Sequence, residues 1–335
     1  VPMRNRLTVI ACCFALIGML VLPLGCASEP TAEEPAGEPL ANVEPAAIPV
    51  GTVPTGDGLA RWVAGAAGRF SEAGLEVEIV IFQAAQERDT AFSSGAIDAY
   101  MGDIIASANL EAAGAQVALA TVMLGQTPAE GRFGIVAAPG SDAATLADLA
   151  DVPVGTSAAS IQEYVLDGLM AAADVPADKV KKEIVPKVPV RYDLLMNGQL
   201  AAAALPEPFL SLAELEGAKL LADDTSGENL TQTVLGVSDE YLALPSGLVT
   251  VRALLDVWDE AAGLINAAPD SYRGLLVDKA RLPEPLKDTY AVNTYPQAAA
   301  PSVEMVEPVL SWMKDNGLLA AEVTYDDLVM EGLRP

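Results

Sequence analysis

Ala91–Ile104 reads AFSSGAIDAYMGDI, and further along the chain Leu194–Pro208 reads LLMNGQLAAAALPEP. Each opens on the end of a short amphipathic helix with a polar corner, Ser93-Ser94 in one and Asn197 in the other. A glycine follows in both, Gly95 and Gly198, where a helix end wants a left-handed residue with no Cβ to hinder it. Next come one exposed residue, an aliphatic (Ile97, Leu200) and a run of small residues suited to a buried strand. Both strands end in acidic turn formers, Gly102-Asp103 and Pro206-Glu207-Pro208. Two helix–glycine–strand corners in one chain predict two α/β lobes of like construction. In such sheets ligands settle at the carboxyl ends of strands, where both acidic corners fall. Two ordinary corners could also match by coincidence, so the flanking sequence decides.

Composition narrows the chemistry. A chain of 335 residues, 51% of them hydrophobic, has room for two domains and a large core. A formal charge of −27 argues against nucleic acid, whose phosphates call for Lys and Arg. There is no histidine, which removes the usual zinc ligand, the usual general base and every Ser-His-Asp or Cys-His device. All the cysteines, Cys12, Cys13 and Cys26, precede the body, so no disulfide can brace it.

Arg4 and Arg6 precede an apolar run, Leu7–Leu24, closed by Gly25-Cys26. A basic start, an apolar core and small residues before a cut make a secretory signal over residues 1–26, with Met3 as the expected start. Leu22–Cys26, LPLGC, resembles a bacterial lipobox, apart from Pro23 where the pattern prefers a leucine-like residue. The resemblance implies lipidation of Cys26; an uncleaved membrane anchor is the alternative. Residues 27–47 are Pro, Glu and Ala with almost nothing to bury, and read as a disordered, self-repelling tether.

Beyond Ile48 strands and helices alternate. Strands are expected at Ile48–Val53, Leu75–Phe82, Val117–Met123, Arg132–Ala138, Val152–Gly155, Glu183–Val185, Ala218–Ala222 and Thr233–Val237, besides the two corner strands. Helices are expected over Leu59–Phe70, Gln86–Ser94, Ile104–Ala113, Ile161–Ala173, Arg191–Met196 and Phe209–Glu216, with a helical tail containing Ser246–Asn266 and Val303–Met313. The alternation predicts mostly parallel sheets flanked by helices.

This order resembles the extracytoplasmic solute-binding proteins of ABC importers, in the branch serving nitrate, sulfonate, taurine and thiamine-precursor transport. The runs that carry it are GRFSEAGLEVEIV (Gly68–Val80), SSGAIDA (Ser93–Ala99), LADLADVPVGTSAAS (Leu146–Ser160), NGQLAAAALPEPFL (Asn197–Leu210) and GAKLLADD (Gly217–Asp224). Ala201 departs from the family, which more often has an aspartate there. The resemblance implies a two-lobed, type II periplasmic-binding-protein-like α/β fold. Residues 48–123 plus 234–335 would form one lobe and 124–233 the other, with crossovers near Leu124–Gly131 and Asn229–Val234. It also implies a monomer that captures a small organic solute and delivers it to a permease and its ATPase. An enzyme on the same fold and an extracellular sensor are the rival readings. No catalytic residue, metal or cofactor is expected.

Glycine- and hydroxyl-rich turns before helices offer free N–H groups and the positive end of a dipole. Pro54–Gly58 and Gly155–Ser160 are two such turns, one per lobe, and the resemblance places both in the cleft. Thr55, Gly56, Asp57, Thr156, Ser157 and Ser160 are therefore candidate ligand residues, although Thr55, Asp57 and Ser160 would serve equally as helix caps. Asp57, Asp103 and Glu207 fall at strand ends and could meet an amine, or could be caps and turn residues. Arg132 and Arg191 are the cations best placed to pair with those acids or with an anionic ligand. Tyr100 and Gly102 complete the candidates, the ring of Tyr100, like those of Tyr164 and Tyr192, either stacking on a ligand or filling core. Lys179, Lys181 and Lys182 read as a solvated helix surface. Three carboxylates in one cleft would favour an organic ligand carrying donor groups, an amine or nitrogen heterocycle, over a bare oxyanion.

Overall fold

The computed structural model describes residues 43–330, 332 and 333. The expected signal, Cys26 and most of the tether lie outside these residues. Ten strands form two five-stranded sheets. The first holds β1 (Ile48–Thr52), β2 (Val77–Ile81), β3 (Ala99–Asp103), β4 (Val117–Leu124) and β10 (Thr233–Ser238), in the order β2-β1-β3-β10-β4. The second holds β5 (Phe133–Ala137), β6 (Pro153–Thr156), β7 (Lys181–Ile184), β8 (Ala202–Pro206) and β9 (Lys219–Asp223), in the order β7-β6-β8-β5-β9. The two orders are the same figure drawn twice. The two sequence corners lead into β3 and β8, which hold the same central place. Gly95 and Gly198 both adopt left-handed backbone, with φ of 71° and 68°.

Each sheet is mixed: four strands run one way, as the alternation predicts, and one runs against them. β1 runs parallel to β2 and β3, but β10 is antiparallel to β3 and β4. In the second sheet β6 is parallel to β7 and β8, and β5 is antiparallel to β8 and β9. The reason is topological. β5 and β10 are the strands the chain enters on arriving from the other lobe, so they start at the edge where their neighbours end. The crossovers are residues 125–132 and 224–232, the second starting earlier in the chain than the sequence suggests.

Helices α1 (Leu59–Ala66) and α2 (Arg69–Glu72) follow β1; the single helix expected there breaks at Gly68, whose φ is 72°. Helices α3 (Ala85–Ser93), α4 (Ile104–Ala112), α5 (Ile161–Ala172), α6 (Val188–Met196) and α7 (Phe209–Leu215) connect the remaining strands. After β10 come α8 (Asp239–Leu242), α9 (Pro245–Ala267), α10 (Arg273–Lys279), α11 (Val303–Asp315) and α12 (Tyr325–Leu328). On α9 the buried Val251, Leu254, Leu255, Trp258, Ala262 and Ile265 recur at helical spacing and pack with α1 against the first sheet. Each fully buried Leu or Ile there contributes about 1.5–3 kcal/mol. No helix among the described residues is long and apolar enough to cross a membrane.

Three further expectations need correction. The folded body begins before Ile48: the Ala46 N–H donates to Thr250 Oγ1 at 2.8 Å and the Tyr241 hydroxyl to Ala47 O at 3.1 Å, so the end of the expected tether is fastened to α8 and α9. Lys181 and Lys182 lie on edge strand β7 and not on a helix, and Lys182 is held by Glu163 (2.9 Å) and Asp167 (2.8 Å) of α5. Residues 290–302 show no periodicity but form an ordered strap over the first lobe. The Val122 N–H donates to Ala299 O at 2.8 Å, and Asn266 bonds both the N–H and the carbonyl of Tyr295.

Candidate functional site

Strand register fixes where a cleft must lie. Thr233 is paired with Asp103 on one side and Leu124 on the other, so the ends of β3 and β4 and the start of β10 share one edge. Phe133 is paired with Pro206, and Gly134 with Asp223, which gives the second sheet a matching edge. Both crossovers join these two edges. The carboxyl ends of β1, β3, β6, β7 and β8 thus lie on the side that the crossovers join, the position where open α/β sheets bind ligands.

On the first lobe, the turn after β1 winds into a 3-10 helix, Gly56–Gly58. Thr55 is exposed and donates to Val53 O at 3.3 Å instead of capping. The Gly56 carbonyl accepts from the Tyr295 hydroxyl at 2.6 Å, so the strap holds this turn. Asp57 keeps one buried carboxylate oxygen, Oδ1, without a hydrogen-bond partner. Near it the buried Arg61 donates to Met101 Sδ at 2.7 Å, while its Nε and Nη2 have no partner. Burial lowers the Arg61 pKa to about 10, against the opposing pull of Asp57.

Asp103 is a helix cap: its Oδ1 accepts from the Ala106 N–H at 2.8 Å, and burial pushes its carboxyl above the ordinary range. Tyr100 is a core residue with no face for a ligand. It is fully buried, its ring stands 4.8 Å from that of Phe92, and its hydroxyl donates to Ser107 Oγ at 2.6 Å. Gly102 is required by packing, since a Cβ there would come within 3.0 Å of Arg88 Nη2 and 2.9 Å of the Tyr100 ring. Arg88 itself is buried and donates to Met101 O at 2.6 Å and to Asp89 Oδ1 through Nε (2.9 Å) and Nη2 (2.7 Å).

On the second lobe, Thr156 ends β6, and Ser157 and Ser160 stand between it and α5. Ser160 caps α5, accepting from the Glu163 N–H at 3.4 Å and donating to Ser157 O at 2.7 Å. Ala159 between them has a φ of 50°, a left-handed conformation unusual for alanine. Its N–H donates to Glu163 Oε2 at 2.5 Å. Thr156 is fully buried and its hydroxyl has no partner.

Arg191 is the central feature of this edge. Its side chain is 0% exposed, and Nη1 donates to Ser157 Oγ (2.9 Å) and to Val185 O (2.7 Å), both at the ends of β6 and β7. Nε and Nη2 are buried without a partner, and no carboxylate forms an ion pair with this guanidinium among the described residues. Burial alone lowers its pKa to about 10. A cation held this way lacks its counter-ion.

Glu207 is occupied. It accepts from Ser211 Oγ at 2.8 Å and pairs at 3.2 Å with Arg132, which also holds Glu214 and Asp223, each at 2.7 Å. Burial outweighs these bonds and raises the Glu207 carboxyl. Of the three carboxylates that favoured an amine, Asp103 is spent on a cap and Glu207 on a salt bridge; the premise for that ligand class falls with them. The structure assembles Thr156, Ser157, Ser160 and Arg191 on one edge and Gly56 and Asp57 on the other, and removes Tyr100 to the core. The sequence reading missed Arg88, Arg61 and Tyr295. For Arg88 a signal existed: it precedes Gly95 by the same interval that separates Arg191 from Gly198.

An apolar cavity lies elsewhere, between the first sheet and α9, lined by Val50, Ile79, Met101, Leu254 and Trp258. At about 30 Å³ it has room for one water molecule, not a solute.

Most of the chain is similar to solved proteins. The periplasmic aliphatic sulphonate binding protein SsuA from Escherichia coli matches at 19% identity, covering 86% of this chain and 92% of that one, with a TM-score of 0.73. The alkanesulfonate-binding protein SsuA from Xanthomonas axonopodis pv. citri, bound to MOPS, matches at 21% identity over 82% and 95%, with a TM-score of 0.65. The desulfurization enzyme DSZB matches at 18% identity over 86% and 97%, with a TM-score of 0.64. At these identities the likeness establishes the fold, and binding proteins and an enzyme both use it. No curated protein sequence matches. A model of the NMT1-like family matches residues 41–271, from the fastened end of the tether through α9, and the chain is a member of that family.

Proposed function

We propose that this chain is the solute-binding component of an ABC importer, exported, held at the membrane by a lipid on Cys26, and built to close two lobes on a small organic anion. The permease and ATPase of that importer are its partners. Family membership and the fold shared with sulfonate-binding proteins support the role. The single observation that carries the ligand class is Arg191, a fully buried guanidinium with two unpartnered donor nitrogens at the edge of the gap. Leaving a buried charge without a counter-charge costs several kcal/mol. A sulfonate or carboxylate would supply that charge, with Thr156 Oγ1 a further donor and the start of α5 a favourable dipole end. Asp57 on the facing lobe disfavours a second negative group on the ligand.

Catalysis is the weaker reading despite the enzyme neighbour. The chain has no histidine and no cysteine after Cys26, so a thiol or imidazole nucleophile cannot be placed at the gap. Native mass spectrometry of the protein purified without dialysis tests the ligand class. A retained organic acid is the expected result; a retained amine would contradict it.

A further inference from the structure

The correspondence between the lobes extends beyond their corners. Gly51-Thr52 on β1 answers to Gly155-Thr156 on β6, Arg88 to Arg191, and Ile97 to Leu200. The packing is the same: a Cβ on Gly51 would lie 2.3 Å from Ile97 Cδ1 and 3.2 Å from Arg88 Cγ. On Gly155 it would lie 2.6 Å from Leu200 Cδ1 and 3.2 Å from Arg191 Cγ. In each lobe a glycine lets an arginine stem pass beneath the first strand, so that the guanidinium emerges at the carboxyl edge.

The surroundings of the two cations differ. Arg88 Nε and Nη2 both donate to Asp89 Oδ1, and the half-buried Asp103 carboxylate also lies in its field. The residue in the place of Asp89 is Tyr192, whose hydroxyl donates to Glu216, and the residue in the place of Asp103 is Pro206. Both acids around Arg88 thus have uncharged counterparts around Arg191. The same two nitrogens that hold Asp89 in the first lobe are unpartnered in the second.

We infer that the first lobe contains a second oxyanion site of the same construction as the Arg191 site, closed by the carboxylate of Asp89, and that Asp89 therefore limits the protein to one anion. The inference rests on reading Arg191 as an anion site. Removal of the Asp89 carboxylate leaves two donors and the space of one carboxylate, which a sulfonate or carboxylate group of a small solute fits.

Calorimetric titration of the full chain with ethanesulfonate tests this. Wild type is expected to take one anion per chain, Asp89→Ala two, Arg191→Gln none and the double variant one. Unchanged stoichiometry in an Asp89→Ala protein that still melts cooperatively would overturn the inference; Asp89→Ser serves if the alanine variant does not fold. Asp151→Ala, which frees Lys179 on the surface, should add no site, and an added site there would equally overturn it. If wild type binds no anion while Asp89→Ala gains one, the Arg191 reading fails and the closed site stands. Loss on Arg191→Gln without gain on Asp89→Ala gives the reverse.

Discussion

Asn229 Nδ2 donates to the Gly125 carbonyl at 2.7 Å, tying the second crossover to the first. Glu130, buried beside them, accepts from the Gly125 N–H (3.1 Å), the Gln126 N–H (2.8 Å) and Thr127 Oγ1 (3.2 Å). The lobe closure proposed above would bend the two crossovers as one bonded ribbon. That is the geometry of a hinge, with the φ/ψ change absorbed in a few residues.

Gly125 is the tightest point of the ribbon. Its φ is 89°, and a Cβ there would lie 1.9 Å from the Thr231 carbonyl oxygen. Gly125→Ala should destabilise the protein by about 2–4 kcal/mol, strain and backbone clash acting together. Gly131→Ala, where a Cβ meets only Thr231 Oγ1 at 3.5 Å, should be close to neutral. Thermal melts of the pair check this; equal melting temperatures would contradict it.

Trp312 of α11 donates from Nε1 to Asp167 Oδ2 of α5 at 2.9 Å, and its ring stands 5.3 Å from that of Tyr164. α11 belongs to the first lobe and α5 begins at the Arg191 edge of the second, so this bond spans the two. Trp312→Phe keeps an aromatic ring and deletes the bond, worth about 0.5–1.5 kcal/mol. Affinity for an anionic ligand should fall, by up to about tenfold, with little change in fold. Calorimetry on the variant provides the check, and an unchanged Kd would mean that α11 takes no part in closure.

Asp224 is buried and Asp103 and Glu207 are half-buried, and desolvation raises each carboxyl above its usual value. At these groups the folded chain binds a proton more tightly than the unfolded chain does. Each therefore opposes folding when ionised, and that opposition is relieved as pH falls through its folded pKa, which desolvation raises. Asp223, shifted down by its bonds to Thr225 and Arg132 despite desolvation, acts in the opposite sense at lower pH. The melting temperature should rise from neutral pH into mild acid, and Asp103→Asn should flatten the rise. A melting temperature that falls steadily below neutrality would contradict this account.

Much of the fold was legible in the sequence because its signals are local. Gly95 and Gly198 end helices by backbone conformation alone, and the apolar spacing on α9 needs no partner to be read. What escaped depends on distant contacts. The antiparallel direction of β5 and β10 follows from the crossovers, which no periodicity records. The strap at 290–302 has no repeat, being held by single bonds such as Tyr295 to Gly56. At the site, Asp57, Asp103 and Glu207 look alike as acids at strand ends. Only the backbone course makes one a cap, gives one to Arg132 and leaves one with a free oxygen. Arg88 was missed because burial of a charge cannot be seen in one chain position.

Cys26 lies outside the described residues, and its lipidation is a matter for fractionation. Wild-type protein should partition with membranes, and Cys26→Ser should gain no lipid. Mature protein that retains residues 3–25 would contradict the lipid anchor and favour an uncleaved one.

The account turns on Arg191 as the seat of an anionic ligand. The most direct measurement is calorimetry of wild type and Arg191→Gln against ethanesulfonate, propionate and ethylamine under one buffer. The account predicts that wild type binds an anion and not the amine, and that Arg191→Gln loses at least about tenfold in affinity, a charged hydrogen bond being worth about 1.5–3 kcal/mol. Binding of ethylamine alone, or anion binding that Arg191→Gln leaves intact, would contradict it.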